Sequence, residues 1–75
     1  TIRVHLSETG PITLAVYSVS GQRIRILDNG VRAAGSHAYA WDATDDRGRR
    51  VASGIYLLRF TTSSGVAAQR ITVLR

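Results

Sequence analysis

Gly54-Ile55-Tyr56-Leu57-Leu58-Arg59-Phe60 decides the fold. Tyr56, Leu58 and Phe60 fall on one side of an extended chain, and Ile55, Leu57 and Arg59 fall on the other, because successive strand side chains point to opposite faces. Gly54 bounds the run before it, and Ser63-Ser64-Gly65 supplies a hairpin turn after it. Beyond that turn the alternation resumes from Val66 to about Leu74. Ile71 and Val73 are expected inward there, with Arg70 and Thr72 outward.

The same period runs upstream. Ile2, Val4 and Leu6 alternate with Arg3, His5 and Ser7 in a first strand, which Glu8-Thr9-Gly10-Pro11 breaks. Ile12, Leu14 and Val16 share a face of the second strand, opposite Thr13, Ala15 and Tyr17; Ser18-Val19-Ser20-Gly21 follows as a tight turn. A third strand is expected over Arg23–Leu27, with Ile24 and Ile26 inward and Arg23 and Arg25 outward. Asp28-Asn29-Gly30, a turn signal, ends it, and residues 31–36 read as a connection. His37, Tyr39 and Trp41 share one face of a fourth strand; Ala38 and Ala40, on the other, suggest that something packs closely there. Asp42–Gly48 is a polar turn, and a short extended piece around Val51 leads back to Gly54. About six or seven short strands with turns at intervals of roughly eight to twelve residues predict an all-β antiparallel sandwich or barrel. There is no 3.6-residue apolar period and no internal repeat.

A chain of 75 residues forms one domain, residues 1–75, with a thin core. It has no cysteine, which excludes disulfides and a thiolate metal site. No stretch approaches about 18 consecutive apolar residues, so no membrane insertion is expected. The chain begins at Thr1 and carries no signal-peptide pattern, which fits a segment of a longer protein. The formal net charge is +5, and all ten basic residues are arginine. They are spread from Arg3 to Arg75; the densest group, Arg47, Arg49 and Arg50, sits in a turn. No recognition motif accompanies the charge, and no nucleic-acid partner is expected.

Asp42, Asp45 and Asp46 form the one carboxylate cluster. Calcium takes six to eight oxygens, which Asp-rich turns can supply. Turn capping by the same side chains, with three arginines beside them, is the preferred reading. His5 and His37 could share a metal only if their strands were adjacent; the preferred reading leaves His5 exposed and His37 at the core rim. Ser7, His5 and Asp42 assemble a hydrolytic triad on paper, but no serine lies in a nucleophile elbow. No catalytic residue and no cofactor are assigned. Trp41, Tyr39, Tyr56 and Phe60 could form a carbohydrate platform. A thin core needs large aromatics, so Trp41, Tyr56, Leu58, Phe60, Ile71 and Val73 are assigned to the core. Tyr17 either belongs to a second packed face or is open to a partner.

Three segments together resemble one family: Val16-Tyr17-Ser18-Val19-Ser20-Gly21-Gln22-Arg23-Ile24, Gly35 to Gly48 with its Trp41-Asp42 and Asp45-Asp46-Arg47-Gly48, and Val51 to Phe60 with Ser53-Gly54-Ile55-Tyr56. They are similar to the Ig-like domain of the flagellar hook-capping protein, the FlgD-like Ig fold, over nearly the whole chain. The family usually has glycine where this chain has Ala43, which bears on the local turn geometry. The resemblance implies an immunoglobulin-like antiparallel β-sandwich. It further implies a non-catalytic C-terminal accessory domain of an exported bacterial protein, outside the cell or at its surface. Such a domain acts in secretion or sorting, surface attachment or stabilisation through protein–protein contacts. Its partners would be the parent's upstream domain, secretion machinery or a cell-surface component. Gly21-Gln22-Arg23 and Gln69–Arg75 are also similar to type IX secretion sorting domains, with Val66–Arg75 as the candidate recognition strand. The alternatives are a carbohydrate- or surface-binding module of an extracellular enzyme and a flagellar hook-capping domain.

Overall fold

The computed structural model describes Ile2 to Leu74. The six strands are β1 (Ile2–Leu6), β2 (Gly10–Ser18), β3 (Arg23–Arg32), β4 (Gly35–Tyr39), β5 (Gly54–Thr62) and β6 (Gly65–Val73). They form two antiparallel sheets, one in the order β3-β2-β5-β6 and a small one of β1 and β4. The architecture is an Ig-like β-sandwich in which a two-stranded lid lies on a four-stranded base. The expected ends of the chain, Thr1 and Arg75, lie outside the described residues.

Register fixes which side chains face the lid, since paired residues of adjacent strands point to the same side. Leu14 pairs with Phe60 on β5, and Val16 pairs with Leu58. Tyr56 and Phe60 pair in turn with Ile71 and Ala67 on β6. Leu14 and Val16 are fully buried, and Tyr56, Leu58 and Val73 complete the core. Ile2, Val4 and Tyr39 reach it from the lid; Trp41, Phe60 and Ile71 pack against it half-buried. Truncating Leu14 to alanine would cost about 2–5 kcal/mol. β2 lies between β3 and β5, which explains why Ala15 on its outer face is buried as well.

The third strand departs from expectation. It does not end at Asp28-Asn29-Gly30 but continues to Arg32 along β2, absorbing two residues of the expected connection. Two register shifts make this possible: Leu14 pairs with Asp28 while Ala15 pairs with Ile26, and Val16 pairs with Arg25 while Tyr17 pairs with Arg23. Each leaves an extra residue, Leu27 and Ile24, and each resets the alternation. Ile26 therefore shares the outer face with Ala15, Arg25 turns inward beside Val16, and Leu27 joins Ile24 against the core. Gly30 has a φ of 145°, and the Arg32 guanidinium lies 3.1 Å from where a Cβ would stand. The positive φ is what favours glycine here, since the guanidinium ends a flexible side chain that can give by a few tenths of an ångström.

Other boundaries also move. Gly10 and Pro11 belong to β2; Pro11 precedes the stretch that pairs with β5 and sits where the strand has one neighbour. β4 stops at Tyr39, so Trp41 lies beyond the strand, where its indole N–H donates to Thr44 O at 2.9 Å. Ala38 and Ala40 are exposed, so the close packing expected on that face is absent among the described residues.

One side of the sandwich is tied shut. Tyr39 Oη, from the lid, donates to Asp28 Oδ2 on β3, and Arg32 holds the same carboxylate at 2.9 Å through Nε. Asp46 lies along the outer edge of β3: its N–H donates to Ile24 O, and its carboxylate accepts from Ile26 N–H, both at 3.0 Å. The exposed edge of β3 is thereby capped by a loop.

Candidate interaction surface

The three carboxylates of the Asp42–Asp46 turn do not converge. Asp42 accepts from the Thr44 hydroxyl, Asp45 Oδ1 accepts the Arg47 and Arg49 amides at 2.9 and 3.0 Å, and Asp46 caps β3. Arg25 reaches into the same loop, donating to Thr44 Oγ1 at 2.6 Å and Asp45 O at 3.1 Å. The Thr44 hydroxyl holds the Asp42 carboxyl below its usual pKa, and the Arg49 amide does the same for Asp45. No group of three His, Asp or Glu side chains among the described residues is placed to hold a metal ion. Ala43 keeps the left-handed conformation that the turn requires, at φ 61°.

The histidines lie on adjacent strands but on opposite faces. His37 pairs with Val4 and faces inward, its Nε2 2.7 Å from Ala33 O, whereas His5 pairs with Ser36 and faces out. They cannot ligate one ion together. Ser7 and Asp42 flank opposite ends of the β1–β4 ladder, which separates the paper triad by about five strand residues. The aromatics do not form a flat platform. Trp41 and Tyr56 meet edge to face, with centroids 5.7 Å apart and planes at 71°, and Tyr56 Oη donates to Ala52 O.

Tyr17 lies on the outer face of the base, under the Arg59 guanidinium at 4.7 Å from the ring centroid. That face also presents Arg23, Leu57 and Arg70 in the cross-strand row of Tyr17, with Ile55 beyond. Of six exposed large apolar residues among those described, four stand on it: Val31, Ile55, Leu57 and Val66. Among the described residues no carboxylate does, since Asp28 turns inward and the other acidic side chains lie in loops. The alternation of β5 carried a signal for this surface, because Ile55 and Leu57 are apolar on the face opposite Tyr56. Asp28 was the residue that sequence reasoning missed: next to Asn-Gly it reads as part of a turn, whereas β3 runs on through it and pairs it with Leu14 on the inner face.

Among known protein families, the FlgD Ig-like domain matches residues 1–65. No curated protein and no solved structure matches the chain. The match spans the first five strands and takes in the Trp41–Gly48 turn and the Ser53–Tyr56 run, so the chain belongs to the FlgD Ig-like domain family, a family of non-catalytic domains.

Proposed function

We propose that this chain is a non-catalytic accessory domain of an exported bacterial protein. It works at the cell surface or outside the cell, in secretion or sorting, in attachment, or in stabilising its parent through protein–protein contacts. The observation that carries this reading is the outer face of the base. Ile55, Leu57, Val31 and Val66 are exposed there among Arg23, Arg59 and Arg70. Apolar side chains gathered on one face and interleaved with arginine suit a protein contact. The outer edge of β6 is a second element for docking, since among the described residues β6 pairs only with β5. The parent's neighbouring domain is the nearest candidate partner, with secretion machinery or a surface component as others.

Removing this domain from the parent gene should reduce export or surface retention of the remainder, measured by cell fractionation. Unchanged export and retention would sink the reading. Flagellar hook assembly is a second reading, favoured by the family to which the chain belongs. It predicts lost hook formation in the same deletion strain.

A further inference from the structure

The side of the sandwich opposite the Tyr39–Asp28 tie is open. Among the described residues, β1 pairs with β4 on one edge only, and β6 pairs with β5 on one edge only. Residues of β1 and β6 line the same three hollows, of about 300, 520 and 240 Å³. Neighbouring hollows share lining: His5, Phe60 and Ala67 join the first to the third, and Arg3, Leu58 and Gln69 join the third to the second. They form one groove, as long as β1, between the free edges of lid and base.

The groove has the chemistry of a missing strand. Its floor is the inner face of β5 and β6, where Leu58, Phe60 and Ile71 give apolar surface and Ala67 and Gln69 are left uncovered. Its wall is the outer edge of β1, where every second residue directs its N–H and C=O away from β4. Its rims carry Arg3 and Arg70, and among the described residues no carboxylate lines it. The closed side shows the contrast, because there Asp46 fills the edge hydrogen bonds of β3.

We infer that this groove accepts an extended segment of a partner protein, added as a third strand to the free edge of β1. Alternate residues of the segment are apolar and rest on Leu58, Phe60 and Ile71; those between are acidic and meet Arg3, which projects from the outward face of the lid. Backbone pairing supplies affinity and the alternating side chains supply selection. Arginine on both rims with no opposing acid favours an acidic strand over a basic one. The inference deepens the protein-docking reading above and rests on it.

The test is a titration of the isotope-labelled 75-residue chain with a nine-residue peptide alternating valine and glutamate. A peptide with lysine for glutamate and a scrambled peptide are the comparisons. Shift changes should map to the amides of Arg3–Leu6 and Ala67–Ile71. Amide exchange in β1 should slow at least about tenfold, and the glutamate peptide should bind at least about tenfold tighter than the lysine peptide at low salt. Ala67→Trp, which fills the groove, should weaken binding at least about tenfold. Should that variant fail to fold by circular dichroism, Arg3→Glu on the exposed rim should weaken the glutamate peptide and favour the lysine one. Unchanged β1 exchange, equal binding of the two peptides, or full binding by the rim variant would overturn the inference. A concentration-dependent dimer with protected β1 amides would overturn it in favour of a second copy. If a groove-filling variant leaves the parent's surface retention intact while domain deletion abolishes it, the accessory reading stands and the groove falls. If the peptide binds but deletion has no effect in the cell, the reverse holds.

Discussion

Tyr39 Oη donates a hydrogen bond to Asp28 Oδ2, joining the lid to the base across the sandwich. Among the described residues Asp28 is the one carboxylate on the inner face of the base, and its side chain is only 13% exposed. Arg32, four residues on, neutralises it at the rim. A charge there is tolerated because both oxygens are held by donors. Tyr39→Phe leaves the Arg32 pair in place but frees one lone pair in a half-buried setting. It should cost about 1–2 kcal/mol in chemical denaturation. Asp28→Ala should cost more, because it strands both the phenol and the guanidinium. Equal stability of Tyr39→Phe and the parent chain would mean that the tie does not hold the sheets together.

The same cluster sets a pH window. Hydrogen bonds from Arg32 and then Tyr39 hold the Asp28 carboxyl below its usual pKa. A depressed carboxylate contributes stability that is present above its unfolded pKa, about 3.9, and is lost as pH falls through the folded value. Burial first, and the bond to Asp28 second, push the Tyr39 phenol up. Its contribution is full below the unfolded value, about 10, and is lost as pH rises through the folded one. The melting temperature should therefore plateau between these limits and fall at both ends. Tyr39→Phe should remove its part of the alkaline fall, which a melting curve at each pH checks.

Ala43 holds a φ of 61°, in the left-handed region that usually falls to glycine. The conformation costs an L-residue roughly 1–2 kcal/mol. Ala43→Gly relieves this but loses a methyl packed against the core and loosens the unfolded chain, each worth up to about 1 kcal/mol. The two substitutions should then diverge: Ala43→Gly within about 1 kcal/mol of neutral, and Ala43→Val destabilised by about 2 kcal/mol or more. Thermal unfolding of the pair decides it, and a stable valine variant would contradict the strained-turn account.

Asp46 should protect the β3 edge more than it stabilises the fold. Asp46→Ala removes the acceptor of the Ile26 amide and the 3.8 Å pairing with Arg23. Amide exchange at Ile26 should speed up at least about tenfold, and self-association should rise with concentration. Ultracentrifugation beside hydrogen exchange separates the two effects, and unchanged exchange at Ile26 would remove the capping role.

Strands with unbroken alternation were legible in the sequence. β1, β5 and β6 follow the period of two, and Tyr56, Leu58 and Val73 are buried where that period puts them. β3 was not, because each bulge adds a residue and exchanges inside for outside; Arg25 and Ile26 are the cost of reading through one. Asp28-Asn29-Gly30 looks like a turn locally, yet pairing with Gly30, Asn29 and Asp28 is what lets Ile12, Thr13 and Leu14 complete their ladder. The turn chemistry of Asp45 was readable from spacing alone, since its partners are two and four residues away. The groove was not, because β1 and β6 are the first and last strands and only the fold sets them side by side.

The first strand belongs to one sheet and the last to the other. A pull between Ile2 and Val73 is therefore not carried along a shared hydrogen-bond ladder from one to the other. It crosses the side-chain core, where Leu14, Val16 and Tyr56 couple lid to base, or unzips the five pairs that join β1 to β4 or the nine that join β6 to β5. The two ends of the module are thus held together mechanically by packed side chains, not by a continuous backbone ladder.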